Sequence, residues 1–185
     1  MLDINFDPFP LLETERLFLR RITLEDAPEM FAMRSNAQAM KYICRPVQTE
    51  MEEAKTQILK INEMVNFNDG IGWALCFKSK KTMIGTVSFH HIQKEHYRAE
   101  IGYMLHPDYW NQGIISEAIK AIIDYGFNDL GFHSIEAHID PDNAASEKVL
   151  QKFKFVKEAY YKENFYFDGQ FLDTAVYSLL HHQHQ

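Results

Sequence analysis

The chain has 185 residues, 46% of them hydrophobic and 24% charged, which suits one globular domain with a substantial core. No apolar run approaches the ~20 residues of a membrane span, so no membrane partner is expected. The net charge of −7, from 19 basic and 26 acidic residues, argues against nucleic-acid binding and mildly favours cationic partners such as amines or basic peptides.

Cys44 and Cys76 are too few for a disulfide framework. The start, MLDINFDPFPLLETER, lacks the basic and apolar regions of a signal peptide. Together these predict a cytoplasmic protein. Met1–Glu13 reads as an arm lying on the surface. Arg16–Ile22 alternates Leu17, Leu19 and Arg21 against Phe18, Arg20 and Ile22, a first strand. Thr23 with Asp26 forms a capping box, and Leu24, Ala27, Phe31 and Arg34 then share a helix face. Pro28 falls in the first turn, where its missing N–H costs least. Ser35–Gln48 is a loop or broken helix. Thr49 with Glu52 repeats the capping box for a second helix, with Ala54, Ile58, Ile61 and Val65 inward and an end near Phe67.

Trp73–Phe77 and Met83–His91 predict an antiparallel hairpin, joined by Lys78-Ser79-Lys80-Lys81 in a loop longer than two residues. The stretch from Ala99 to Ala118 is the most informative. In its strand, Ala99, Ile101, Tyr103 and Leu105 face one way, and Glu100, Gly102 and Met104 the other. Asn111-Gln112-Gly113 then forms a loop, and from Ile114 the period becomes helical: Ile115, Ala118, Ile119, Ile122, Tyr125, Gly126. Free N–H groups and the positive end of the helix dipole suit an anion there, typically a phosphate. An ordinary strand-to-helix turn is the competing reading.

Ser134–Asp140 is a strand with Ile135, Ala137 and Ile139 on one face. Asn143 caps a last helix whose inward stripe is Ser146, Val149, Leu150 and Phe153. Phe155–Phe167 and Gln170–Leu180 flank the hairpin turn Asp168-Gly169, and the HHQHQ tail is expected to be disordered. The order β-α-α-β-β-β-α-β-α-β-β predicts a single α/β (α+β) domain over 1–185. Its sheet is mixed and mostly antiparallel, of about seven strands flanked by about four helices. The unit from Ala99 to Asp140 is the expected parallel pair. His90-His91 with Glu95-His96 holds metal-ligand residue types. Neighbours on a strand point to opposite faces and no further ligand lies at zinc spacing, so no metal is expected.

Element order and two motifs together resemble the GCN5-related N-acetyltransferase (GNAT) superfamily, nearest its ribosomal-protein N-terminal (Rim-type) branch and the spermidine and antibiotic-modifying relatives. The motifs are EIGYMLHPDYWNQGIISEA, Glu100–Ala118, and NAASEKVLQKFKF, Asn143–Phe155; RLFLRR matches the usual first strand. The likeness covers about Leu12 to Leu180. It implies a GNAT-like domain and a site for acetyl-coenzyme A. The sheet would splay beside Ala99–Leu105, and backbone groups of Met104, Leu105 and His106 would pair with the pantetheine arm. N–H groups from Asn111, Gln112, Gly113, Ile114, Ile115 and Ser116 would hold the pyrophosphate. Asn143 would cap its helix and also bond the pantetheine.

Three positions depart from the family pattern. Ile115 stands where a small residue is favoured, Asn111 where glycine is common, and Lys154-Phe155 where Gly-Phe usually ends the last helix. The family's tyrosine acid aligns with Leu150, and Ser146, on the same inward stripe, is the candidate substitute, a poor acid suited to hydrogen-bonding the departing sulfur. Glu100 is the candidate base for the amine, and the N–H near Met104 or Leu105 the candidate oxyanion donor. Structural readings stand beside these: Glu100 bonded to backbone or solvent, Ser146 to a helix carbonyl. The aromatics Tyr160, Tyr161, Phe165, Tyr166, Phe167 and Phe171 read as sheet packing more than as an acceptor pocket.

The expected function is an acetyl-CoA-dependent N-acetyltransferase using direct transfer in a ternary complex. Its acceptor is a protein or peptide N-terminus, a polyamine or another small amine. The alternatives are a catalytically weak acyl-CoA-binding module, sensor or scaffold, and a protein of this shape that no longer binds coenzyme A. Monomer and homodimer both fit.

Overall fold

The computed structural model describes residues 1–184. Eight strands form one sheet in the order β1-β2-β3-β4-β5-β6-β8-β7. They are β1 (Leu12–Glu13), β2 (Leu17–Arg21), β3 (Ile71–Phe77), β4 (Lys80–Gln93), β5 (Arg98–Leu105), β6 (Ser134–Ile139), β7 (Val156–Phe167) and β8 (Gln170–Leu180). Six α-helices accompany them: α1 (Ala27–Arg34), α2 (Ala37–Met40), α3 (Met51–Asn66), α4 (Ile114–Asn128), α5 (Ala144–Lys152) and α6 (His181–His184). Every pairing is antiparallel except β5 with β6, the expected parallel pair.

Period-two patterning divides the core between the two faces of the sheet. Ala74 and Cys76 of β3 and Met104 of β5 pack under α1, α2 and α3, with Met30, Met33, Ala54 and Ile58. Their neighbours Trp73, Leu75, Ile101 and Leu105 face the other way, against Ile114, Ala118, Ile119 and Ile122 of α4 and Leu150 of α5. The inward stripe of α4 thus opens on Ile114, which is 1% exposed, and Ile115 is only half-buried. Gly126 lets α4 approach the sheet, because a Cβ there would lie 2.9 Å from the Phe89 ring and 3.0 Å from Phe132.

Several expectations need correction. The N-terminal arm runs along the surface, with Met1, Asp3, Asn5, Asp7 and Pro8 exposed, but it also enters the core: Ile4 and Phe6 are buried, and the Pro10 carbonyl accepts a 2.8 Å hydrogen bond from the Trp73 indole. Part of the arm, β1, adds the eighth strand. The helix count rises because Asn36 caps a single extra turn, its side chain accepting from the Gln38 and Ala39 N–H groups, and because His181–His184 is helical. The expected disorder of the tail therefore fails at those residues, and Gln185 lies outside the described residues. The second capping box sits one residue later than Thr49–Glu52. Glu50 is the N-cap, and the Glu53 carboxylate accepts from the N–H groups of Thr49 and Glu50. The β3–β4 hairpin closes through only Lys78-Ser79, with Phe77 opposite Lys80, because register shifts near Cys76 absorb the extra residues.

Trp73 is fully buried and meets Phe9, Phe89 and Tyr125 edge to face, with ring centroids 5.7–6.3 Å apart. Trp73→Ala is expected to cost about 3–5 kcal/mol, read as a lower urea midpoint with an unchanged slope.

Candidate active site

β5 and β6 pair over only three rungs: Arg98 with Ser134, Ala99 with Ile135 and Glu100 with Glu136. Beyond Glu100 the strands part, although β5 continues to Leu105 and β6 to Ile139. The last rung sets two carboxylates side by side. Each meets its own basic side chains. Glu136 takes an ion pair from Arg98 and a 3.2 Å contact from His138. Glu100 takes contacts from His90 at 3.2 Å and His91 at 2.8 Å.

A cavity of about 700 Å³ occupies the opening. Glu100–Met104 form one wall, Ala137–Asp140 another, and Asn143 and Ser146 of α5 a third. Backbone polarity follows from the β4 ladder. The His106 N–H donates to the Ile84 carbonyl at 2.9 Å, so the alternation of an antiparallel pair makes Met104 and Thr86 the next bonded pair. The N–H groups of Met104 and His106 therefore belong to β4 and cannot pair with a ligand in the opening. Of the three residues expected to do so, Leu105 alone turns its N–H to the open side, and Tyr103 joins it. The Leu105 carbonyl is held by the Trp110 indole at 2.8 Å, which draws the following loop back onto the strand.

In that loop Asn111 has φ +58° and Gly113 φ +73°, both left-handed. Asparagine tolerates this geometry, so its replacement of the common glycine is accommodated. Gly113 is the N-cap of α4, and the first intrahelical bond runs from the Glu117 N–H to the Gly113 carbonyl. The N–H groups of Ile114, Ile115 and Ser116 thus have no intrahelical acceptor. The Ile115 side chain packs against the core and leaves the loop uncrowded. Gln112 is fixed twice: its side chain donates to the Asp108 carbonyl, and its own carbonyl accepts from Arg16 at 3.0 Å. Glu117 holds Arg16 in place through a 2.6 Å ion pair. Burial raises the Glu117 pKa, but bonds from Thr14 and Arg16 outweigh it and hold the carboxyl below its usual range. Gly113 and Ser116 also open on a second hollow lined by Arg16, Lys120, Lys152 and Phe153.

Asn143 caps α5, accepting from the Ser146 N–H at 3.0 Å. Ser146 is 7% exposed, and its hydroxyl bonds Tyr103 at 2.5 Å rather than a helix carbonyl. Burial pushes the Tyr103 pKa up, partly offset by that bond. Leu150 is fully buried, so no tyrosine stands at that position and none could reach the opening from it without remodelling the core. Lys154 has φ +65°, the conformation that glycine would take more readily.

The Glu100 carboxylate meets two imidazoles, His90 and His91. His91 has φ +49° beside a register shift between His90 and Gln93. This bulge breaks the alternation, so both rings turn to one carboxylate with centroids 4.9 Å apart. The expectation that the two histidines diverge is therefore wrong. Together with Glu100 they bring three metal-ligand atoms within 4.8 Å of one another, whereas Glu95 and His96 lie in a separate turn. Burial works against ionisation of Glu100, but hydrogen bonds from His90 and His91, with the His138 charge, bring its pKa down to about 2. Such a carboxylate is ionised at neutral pH and a feeble proton acceptor. Sequence reasoning missed Tyr103, His90 and Arg16 as parts of this site; the bulge has no local signature, and the strand face of Tyr103 reads as core.

An acetyltransferase (GNAT) domain model matches residues 16–156. An uncharacterised N-acetyltransferase of Bacillus subtilis, YoaA, is 38% identical over 172 residues, covering 93% of this chain and 97% of its own. Among solved structures, a GNAT-family acetyltransferase from Bacillus anthracis superposes with a TM-score of 0.84 at 27% identity, covering 94% of this chain and 99% of its own. A ribosomal-protein-S5-alanine acetyltransferase from Vibrio fischeri does so at 0.79 and 26%, covering 93% and 97%.

The Glu100 pKa lies below its ordinary 4.5, so its contribution to stability is full above about pH 4.5 and disappears as the pH falls through about 2. Glu100→Gln is therefore expected to lose stability at pH 7 and to show a shallower decline between pH 5 and 2, measured by urea unfolding across that range.

Proposed function

The chain belongs to the GNAT acetyltransferase family and is an acetyl-CoA-dependent acyltransferase, and from that premise we propose that it acetylates a primary amine bound in the opening between β5 and β6. The observation that carries this reading is the interrupted parallel pair, which leaves the Leu105 N–H unclaimed beside a cavity reached by Ser146 and Glu100. Acetyl-CoA supplies a thioester carbonyl; the amine nitrogen forms the new C–N bond as the C–S bond breaks. The Leu105 N–H faces the side where the carbonyl oxygen gains charge. The α4 N-terminus, Gly113 to Ser116, suits the pyrophosphate, and Asn143 stays chiefly a helix cap.

Glu100 acts as a positioning residue. A carboxylate with a pKa of about 2 is mismatched to an ammonium near ~10. It orients the two imidazoles instead, and one of them takes the amine proton, as in other carboxylate–imidazole pairs. On the leaving side, the Tyr103 hydroxyl bonds Ser146, and Ser146 offers its proton to the departing sulfur. Tyrosine is the better acid of the pair, so it backs the serine as a short relay.

Thiol release with an amine and peptide panel tests the transfer reading, alongside thermal shift with acetyl-CoA. Turnover plus stabilisation supports it. Stabilisation without turnover makes the protein an acyl-CoA binder, and no stabilisation at millimolar ligand ends the cosubstrate assignment. Ser146→Ala is expected to lower kcat about tenfold with little change in the acetyl-CoA KM. His90→Gln combined with His91→Gln should lower kcat/KM at pH 7 more than Glu100→Gln does. A larger loss in Glu100→Gln returns the base role to the carboxylate.

A further inference from the structure

The same cavity carries a charge pattern that the acetyl-transfer chemistry does not use. Arg34, in the last turn of α1, and Arg45, in the loop after α2, both line it, as does Lys60 of α3. Among the described residues, neither arginine has a salt bridge to a carboxylate. Arg34 Nε is buried and has no hydrogen-bond partner. Arg45 donates to the Cys44 carbonyl at 2.8 Å and stands 5.9 Å from the Phe165 ring, at the mouth of the cavity.

The acids on the cavity wall are engaged elsewhere. Glu100 is held by two imidazoles. Asp173 accepts from the Tyr160 hydroxyl and the Glu163 N–H, and Asp140 accepts from the Asp142 N–H. Three cationic side chains thus line a cavity whose carboxylates Glu100, Asp140 and Asp173 make no salt bridge with Arg34 or Arg45. Burial of an unpaired guanidinium is unfavourable, and a bidentate oxyanion relieves it best. Arg34 shows that cost: burial and the nearby Arg45 charge lower its pKa.

We propose that Arg34 and Arg45 bind an anionic group on the acceptor, so that the substrate is a small amine carrying a carboxylate or phosphate rather than a polyamine. This rests on the transfer reading above and narrows it. A second ammonium there would meet two guanidiniums, and a carboxylate or phosphate would pair with both. The acidic net charge of the chain pointed to cationic partners, but it is an average over the surface and does not describe this cavity.

The test compares short ω-amino acids with their carboxamides, with aminoalkylphosphonates and with diamines of matched length, by thiol release. The anionic amines are expected to exceed their neutral amides in kcat/KM by at least about tenfold, with the diamines lowest. The carboxylate and phosphonate arms identify which anion is preferred. Arg45 is exposed, so Arg45→Gln should fold normally, and it is expected to bring the anion-to-amide ratio toward one, chiefly through KM. Equal use of amide and acid, a preference for diamines, or a ratio that survives Arg45→Gln overturns the proposal. Calorimetry with the coenzyme A-loaded protein separates the two readings. An anionic amine that binds but is not acetylated keeps the anion site and removes the transfer reading. Acetylation without anion preference does the reverse.

Discussion

The end of the parallel pair at the Glu100–Glu136 rung is the constraint on which the rest of the site depends. A ladder that continued would consume the Tyr103 and Leu105 backbone groups and close the cavity. Each carboxylate at that rung meets its own basic side chains. The end of the pairing there sets polar side chains at the edge of the opening and leaves backbone donors facing into it.

The two sides of the opening divide the work. β5 contributes backbone donors and Tyr103, and α5 contributes Ser146, which meets Tyr103 across the gap. The β4 bulge at His91 contributes imidazoles from the neighbouring strand. Each group arrives on a packed element. The site is set by core packing beneath it, including the buried Leu150 that anchors α5.

Much of this was legible in the residues. The capped helices, the hairpin at Asp168-Gly169 and the strand–loop–helix from Ala99 follow local rules of period and turn chemistry, and the structure keeps them. What failed was information that local patterns do not carry. Which strand claims the N–H of Met104 or His106 depends on the β4 register, set by residues far away in sequence. Parity was a sound reason to send His90 and His91 apart, and one positive φ undid it. Ile4 and Phe6 gave no periodic signal, since an arm without regular structure is buried by what it covers. Ser146 was read correctly as inward because helix spacing alone decides its direction, while its partner Tyr103 required the fold.

The clamp of Glu117 on Thr14 and Arg16 bears on how the site comes into being. These contacts span 101 to 103 residues of chain. Long closures carry an entropic cost early in folding and are recovered only once much of the chain is in place. The loop at Asn111–Gly113 is thus held by local bonds and by one from the distant start of the chain. A ligand that binds only the native loop draws unfolded chain toward the native state by mass action, and so stabilises the start of the chain along with the loop.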